Sequence, residues 1–242
     1  IVLFMILISE EYITNLGNLY GSGDVYLGAM AIPFTIFCVV GLMNAYNMVD
    51  GLNGICASFG LVPLIFLTFF GSVKYGLLIP IGAILGFMAY NLGYLGKKRR
   101  VFLGDSGSNY IGFIVAFLCI TYSQDSQIIN PVTALWLVAI PLLDCLGVIV
   151  SRVKKGLMPF TPGRDHLHHK LLDKGYSPNN ILYIFVLISI ILCSVGCLLE
   201  LFFPNDDYIS LGLFILFAIL YYVMTSGSID WNKELKTKIE IK

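Results

Sequence analysis

Three short polar stretches in this chain carry the residue types that phosphate chemistry needs. Residues 101–108, VFLGDSGS, hold one carboxylate, Asp105, among glycines and serines, directly after the basic run KKRR at 97–100. Gly104 and Gly107 let the backbone approach a ligand, Asp105 offers a hard oxygen to Mg2+, and Ser106 and Ser108 with free N–H groups suit phosphate oxygens. Residues 44–54, NAYNMVDGLNG, place Asn44 and Asn47 three apart on a helix with Asp50 at the next turn, so the three share a face. Asn47 and Asp50 suit a cation or sugar and base hydroxyls, and Gly51 and Gly54 break the helix. All three histidines, His166, His168 and His169, fall within four residues in GRDHLHHK. Imidazoles titrate near neutrality, so the trio suits donation to phosphate oxygens or orientation of an acidic group. Each stretch alone also reads as an ordinary helix end or interfacial loop.

The elements that must position these groups are membrane spans. The chain of 242 residues is 57% hydrophobic and only 12% charged, with a mean hydropathy of +0.84, which excludes a soluble globular domain. Successive apolar windows are long enough to cross roughly 30 Å of hydrocarbon as helices. The expected fold is all-α, a polytopic transmembrane helical bundle: the tail of a span at 1–8, then seven complete spans at 27–46, 55–70, 75–95, 110–122, 131–150, 181–199 and 208–224. The whole of 1–242 reads as one membrane domain, the C-terminal two-thirds of a longer protein, with a substrate-binding loop at 151–180 and a basic tail at 226–242. The opening inside an apolar run looks like a cut end. The six cysteines lie in apolar spans without metal-site spacing and behave as small hydrophobes.

Charge fixes the orientation. Fourteen of the fifteen Lys and Arg fall on one face, whereas the other has Lys74 with Glu10, Glu11, Asp24, Asp125, Glu200, Asp206 and Asp207. The rich face is therefore read as cytoplasmic, and a missed or invented span would have scrambled the separation. All three polar clusters land on that face, as does Arg152. Asp144, inside the cytoplasmic end of its span, is costly unless paired or hydrated, so it is expected to face the bundle interior near Arg152 or a water-filled cleft. The lysines after Trp231 read as an interfacial anchor to anionic lipid.

Taken in order, NAYNMVDGLNG, YNLGYLGKKRRVFLGDSGSNYIGF, PVTALWLVAIPLLDC and SRVKKGLMPFTPGRDHLHHKLLDKGY closely resemble the polyprenyl-phosphate N-acetylhexosamine-1-phosphate transferases over nearly the whole chain. The spaced form of the histidine motif is similar to the branch that makes lipid-linked GlcNAc for envelope polysaccharides, the MurNAc-pentapeptide branch having three consecutive histidines. The resemblance implies transfer of a sugar 1-phosphate from a UDP-N-acetylhexosamine to undecaprenyl phosphate with release of UMP. It implies Mg2+ as cofactor, with Mn2+ as an alternative, and an inner (cytoplasmic) membrane location with the active site facing the cytoplasm. It assigns catalysis to Asp50, Asp105 and His166. Asp105 becomes a metal ligand with Asn47 as a second. Asn44, Asn53, Arg152, His168 and His169 are left for substrate. Membrane lipid is a partner and nucleic acid is not, and a homodimer is compatible.

Two departures accompany the resemblance. The family's Asp-Asp pair upstream of the first motif is not contained in the chain, which is expected to be inactive in isolation. The bacterial DGxDG pattern reads DGLNG, so Asn53 stands where a carboxylate is usual. A MurNAc-pentapeptide-type transferase, a noncatalytic remnant and a transporter remain alternatives, although the polar groups collect at one face rather than at mid-depth as a transporter requires.

Overall fold

The computed structural model describes residues 2–70, 75–125, 128–159 and 163–226. Lys74 and the basic tail beyond Ser226, with Trp231, lie outside them. The described residues are helical apart from loops and one isolated bridge between Asn15 and Tyr26. The helices are α1 (Val2–Ser9), α2 (Ala31–Val49), α3 (Ile55–Phe70), α4 (Tyr75–Asn91), α5 (Gly104–Ile120), α6 (Pro131–Leu137), α7 (Ala139–Lys154), α8 (Leu167–Asp173), α9 (Pro178–Phe202) and α10 (Asp207–Thr225).

The protein is membrane-embedded, but the expected seven crossings are not seven unbroken spans. Among the described residues, three helical segments, Gly28–Val49, Pro178–Phe202 and Asp207–Thr225, are long and apolar enough to cross, and α3 and α4 are shorter apolar helices. The expected single span at 131–150 is two helices, α6 and α7, bent by 79° at Val138. Proline explains the break. Pro141 has no N–H for the Leu137 carbonyl and its ring crowds that oxygen; the carbonyl instead faces the Cys193 thiol of α9 at 3.7 Å. Pro63 strips a donor from Phe59 in the same way, and there the Tyr46 hydroxyl of α2 donates to the orphaned carbonyl at 2.7 Å. Tyr46 is fully buried, so this bond pins the end of α2 to α3 one residue before Asn47.

The stretch GDSGS is not the loop expected from its composition, nor does its span start at 110. Helix α5 begins at Gly104, with φ +67°, and takes Asp105 into its first turn, where the helix dipole favours a carboxylate. Ser108, fully buried, turns its hydroxyl back to the Gly104 carbonyl at 3.2 Å. Helix α5 lies against α2 at backbone distance: a Cβ at Gly112 would sit 2.9 Å from Met43 Cα and 3.2 Å from the Leu42 carbonyl oxygen.

The polar loops gather at the two ends of the bundle. At one end, Gln124 Oε1 accepts from the N–H groups of Thr14 and Asn15, Asp207 accepts from Asn18 N–H at 2.8 Å, and Glu200 accepts from Asn130 N–H at 2.9 Å. The other end carries the ends of α2, α4 and α7, the start of α5, and α8.

Candidate active site

The α2–α5 contact brings the first two motifs together. Asn47 donates through Nδ2 to Asp105 Oδ1 at 3.2 Å and to Ser108 Oγ at 3.0 Å, which leaves its carbonyl oxygen available. Asp50 follows at the end of α2. Burial and the charge of Asp105 push its carboxyl up to about 6, so the two carboxylates feel each other and jointly favour a cation. The first N–H groups of α5 point out of the same helix end with no side-chain cap at Leu103, a geometry suited to an anion.

The histidines meet this cluster at Gly51. His168 is 1% exposed and its Nε2 abuts Gly51: a Cβ there would collide with the ring. Nε2 of His168 and Nδ1 of His169 are buried without a protein hydrogen-bond partner among the described residues. The rings of His166 and His168 stack at 5.7 Å with 12° between planes, and that of His169 follows at 4.2 Å. Burial and the neighbouring His169 hold His168 down at about 4, so it is neutral at pH 7 rather than poised near neutrality as its residue type suggests. Burial and the nearby Arg164 also lower His169.

Asp144 does face the bundle interior, but its partner is His166, with Nδ1 to Oδ2 at 2.7 Å, and not Arg152. Arg152 is itself buried, and its guanidinium is engaged by Asp165 Oδ2 at 3.2 Å and the Pro159 carbonyl at 3.0 Å. That arrangement ties Arg152, which the resemblance left for substrate, to the loop that leads into the histidines. Asn44 is not gathered with Asn47: its amide bonds back to the Val40 carbonyl at 2.9 Å and lines an apolar groove. Asn53 is exposed in the turn after Asp50. Lys97, Lys98 and Arg99 are exposed in a single turn of 3-10 helix.

Three contributors escaped the sequence reading. Asn91, at the end of α4, is buried and donates to the Val101 carbonyl at 2.8 Å, fixing the approach to α5. Tyr46 and Asp165 act as described above. The position four residues before Pro63 was the available signal for Tyr46, since a mid-helix proline announces a carbonyl that another group must satisfy.

The apolar groove that takes in Asn44 runs between α2 and the bent α6–α7 pair, with a volume of 520 Å³. Phe37, Leu42, Ala116, Val138 and Leu146 are among its lining residues.

Residues 1–123, half of the chain, match the family model described as glycosyl transferase family 4. The chain belongs to that family. The protein is also 36% identical over 225 residues to an undecaprenyl-phosphate alpha-N-acetylglucosaminyl 1-phosphate transferase of Escherichia coli K12, covering 90% of this chain and 61% of the relative. A relative of the same name from Yersinia pestis is 34% identical with the same coverage, and one from Haemophilus influenzae is 33% identical over 98% of this chain and 70% of its own length. The chain thus spans about three-fifths of the length of the first two. The family 4 match takes in Asn47, Asp50 and Asp105. The histidines lie beyond it, but so central that an alignment over 90% of the chain must include them.

No group of three or more His, Cys, Asp or Glu side chains that could hold a metal occurs among the described residues. The donors this family 4 chain presents are Asp105, Asp50 and the Asn47 carbonyl, all oxygens. Few protein ligands of that kind suit Mg2+, which keeps waters and takes substrate phosphates into its shell.

Proposed function

We propose that this protein transfers N-acetylglucosamine 1-phosphate from UDP-N-acetylglucosamine to undecaprenyl phosphate, releasing UMP. The carrying observation is the convergence of carboxylates, amide and imidazoles from three distant segments: Asn47 bonds to Asp105, and His168 abuts Gly51 beside Asp50. The names of the relatives support the same substrates. One phosphate oxygen of the lipid attacks the sugar-bearing phosphorus of the donor, so two anions must be held together and their charge screened. Asp105, Asp50 and Asn47 would hold Mg2+, which neutralises the pyrophosphate when bound. The α5 N-terminus and the rings of His168 and His169 orient phosphate oxygens, with His166 stacked beside them. The apolar groove between α2 and α6–α7 receives the polyprenyl chain. In this reading seven segments cross the inner membrane, with α6 and α7 forming one broken crossing, and the site faces the cytoplasm, where the basic loops lie.

Membranes from cells expressing the full-length gene, supplied with labelled UDP-N-acetylglucosamine, undecaprenyl phosphate and Mg2+, test this directly. Lipid-linked product from wild type and a loss of about a hundredfold or more in Asp105→Asn are expected. A folded wild type that makes no product with Mg2+ or Mn2+ would overturn the proposal.

A further inference from the structure

Asp144 is 5% exposed inside the apolar bundle, where an isolated carboxylate is expensive. Three groups from two elements, the start of α8 and α10, meet it. His166 Nδ1 lies 2.7 Å from Oδ2, Leu167 N–H donates to Oδ1 at 3.0 Å from the start of α8, and the Tyr221 hydroxyl of α10 donates to the same oxygen at 3.0 Å. With two donors on Oδ1, the group behaves as a carboxylate and accepts from the ring as well. The His166 proton therefore sits on Nδ1, and Nε2 is the ring atom left to meet a ligand. Packing alone does not call for this arrangement, since apolar residues in place of a buried charged cluster are commonly as stable or more so.

Tyr221 is buried, and the turn that carries it is tied down on either side. Lys170 of α8 donates to the Thr225 carbonyl at 2.7 Å, and the Lys154 ammonium lies 4.8 Å from the centre of the Tyr222 ring. The hydroxyl of Tyr221 thus has a defined place relative to both α7 and α8.

We propose that Tyr221 is a positioning residue of the active site: by holding the Asp144 carboxylate it sets the ring orientation and tautomer of His166. This rests on the phosphotransfer reading above and assigns the last helix a part in it. Tyr221 acts through Asp144.

The test pairs a spectrum with kinetics. In protein labelled with 15N-histidine, with the His166 signals assigned by comparison with His166→Gln, wild type should show Nδ1 protonated. Tyr221→Phe removes only the hydroxyl, and Asp144→Asn breaks the link from its other end. Both should shift the His166 signals toward a mixture of tautomers. In the transfer assay Tyr221→Phe should lose about tenfold in kcat while KM for the UDP-sugar stays within about twofold. Unchanged His166 signals in both variants, or a Tyr221→Phe kcat equal to wild type, would overturn the positioning role while leaving the transferase reading intact. A wild type that makes no product but shows the expected tautomer would sink the transferase reading and leave the geometry standing.

Discussion

Asn47, on the last turn of α2, reaches across to Asp105, in the first turn of α5, with a 3.2 Å hydrogen bond, and the same amide bonds Ser108 at 3.0 Å. One side chain thereby sets the orientation of a carboxylate more than fifty positions away in sequence. That carboxylate is exposed in the first turn of α5, so its direction decides where a cation can sit.

Asn47→Ala deletes both bonds without adding charge. The transfer rate should fall about 10- to 100-fold, and the Mg2+ concentration for half-maximal activity should rise. An unaltered Mg2+ titration in a folded Asn47→Ala protein would refute the bracing role.

Asp50 makes stability depend on pH in a set direction. Its carboxyl titrates at about 6 in the folded protein against 3.8 for the free side chain, so the folded state holds the proton more tightly. The contribution is complete below 3.8 and is lost as pH rises through 6. Asp50 is partly exposed, and after discounting for solvent screening the effect is on the order of 1 kcal/mol. Metal-free protein should therefore lose thermal stability between these pH values, Asp50→Asn should flatten that loss, and Mg2+ should restore stability at pH 7. Equal slopes for wild type and Asp50→Asn would contradict the assignment.

Tyr46→Phe leaves the Phe59 carbonyl buried with neither a helical nor a side-chain donor, a loss of about 1–3 kcal/mol. Pro63→Ala supplies the missing helical N–H. In the double variant, the cost of losing the hydroxyl should shrink by at least half, which a double-mutant cycle of thermal midpoints in detergent measures. Strict additivity would show that the phenol does not serve that carbonyl.

Gly51→Ala places a methyl against the His168 ring and should drive the histidine segment away from the end of α2. Activity should drop about tenfold or more, with a small change in thermal midpoint, because the loop can yield at modest cost. Wild-type activity in Gly51→Ala would mean that the ring does not work in the observed position.

The three reactive clusters were legible because their residue types are scarce in a chain this apolar, and because the charge separation put them at one end. The helical class followed from hydropathy. What could not be read were relations set by packing. The GDSGS segment has loop composition, yet Ser108 finds its partners on its own helix and on Asn47, so the segment winds into α5. The pairing of Arg152 with Asp165 was hidden because the two are joined across a loop whose path the sequence does not reveal. Asn44 shares an approximate face with Asn47, but one turn deeper that face looks onto the apolar groove. The kink at Val138 had a visible cause in Pro141, whereas the thiol that meets the freed Leu137 carbonyl, that of Cys193, comes from a different helix.

Gly112 has a consequence for how the protein can vary. Where α5 crosses α2, Gly112 lies against the main chain of Leu42 and Met43 and the Cβ of Tyr46, so the gap between the two reactive ends is gauged by the thickness of the polypeptide itself. Substitutions elsewhere along that crossing can exchange bulk for bulk, but at 112 any added carbon acts as a shim and pries Asp105 from Asn47 and Asp50 together.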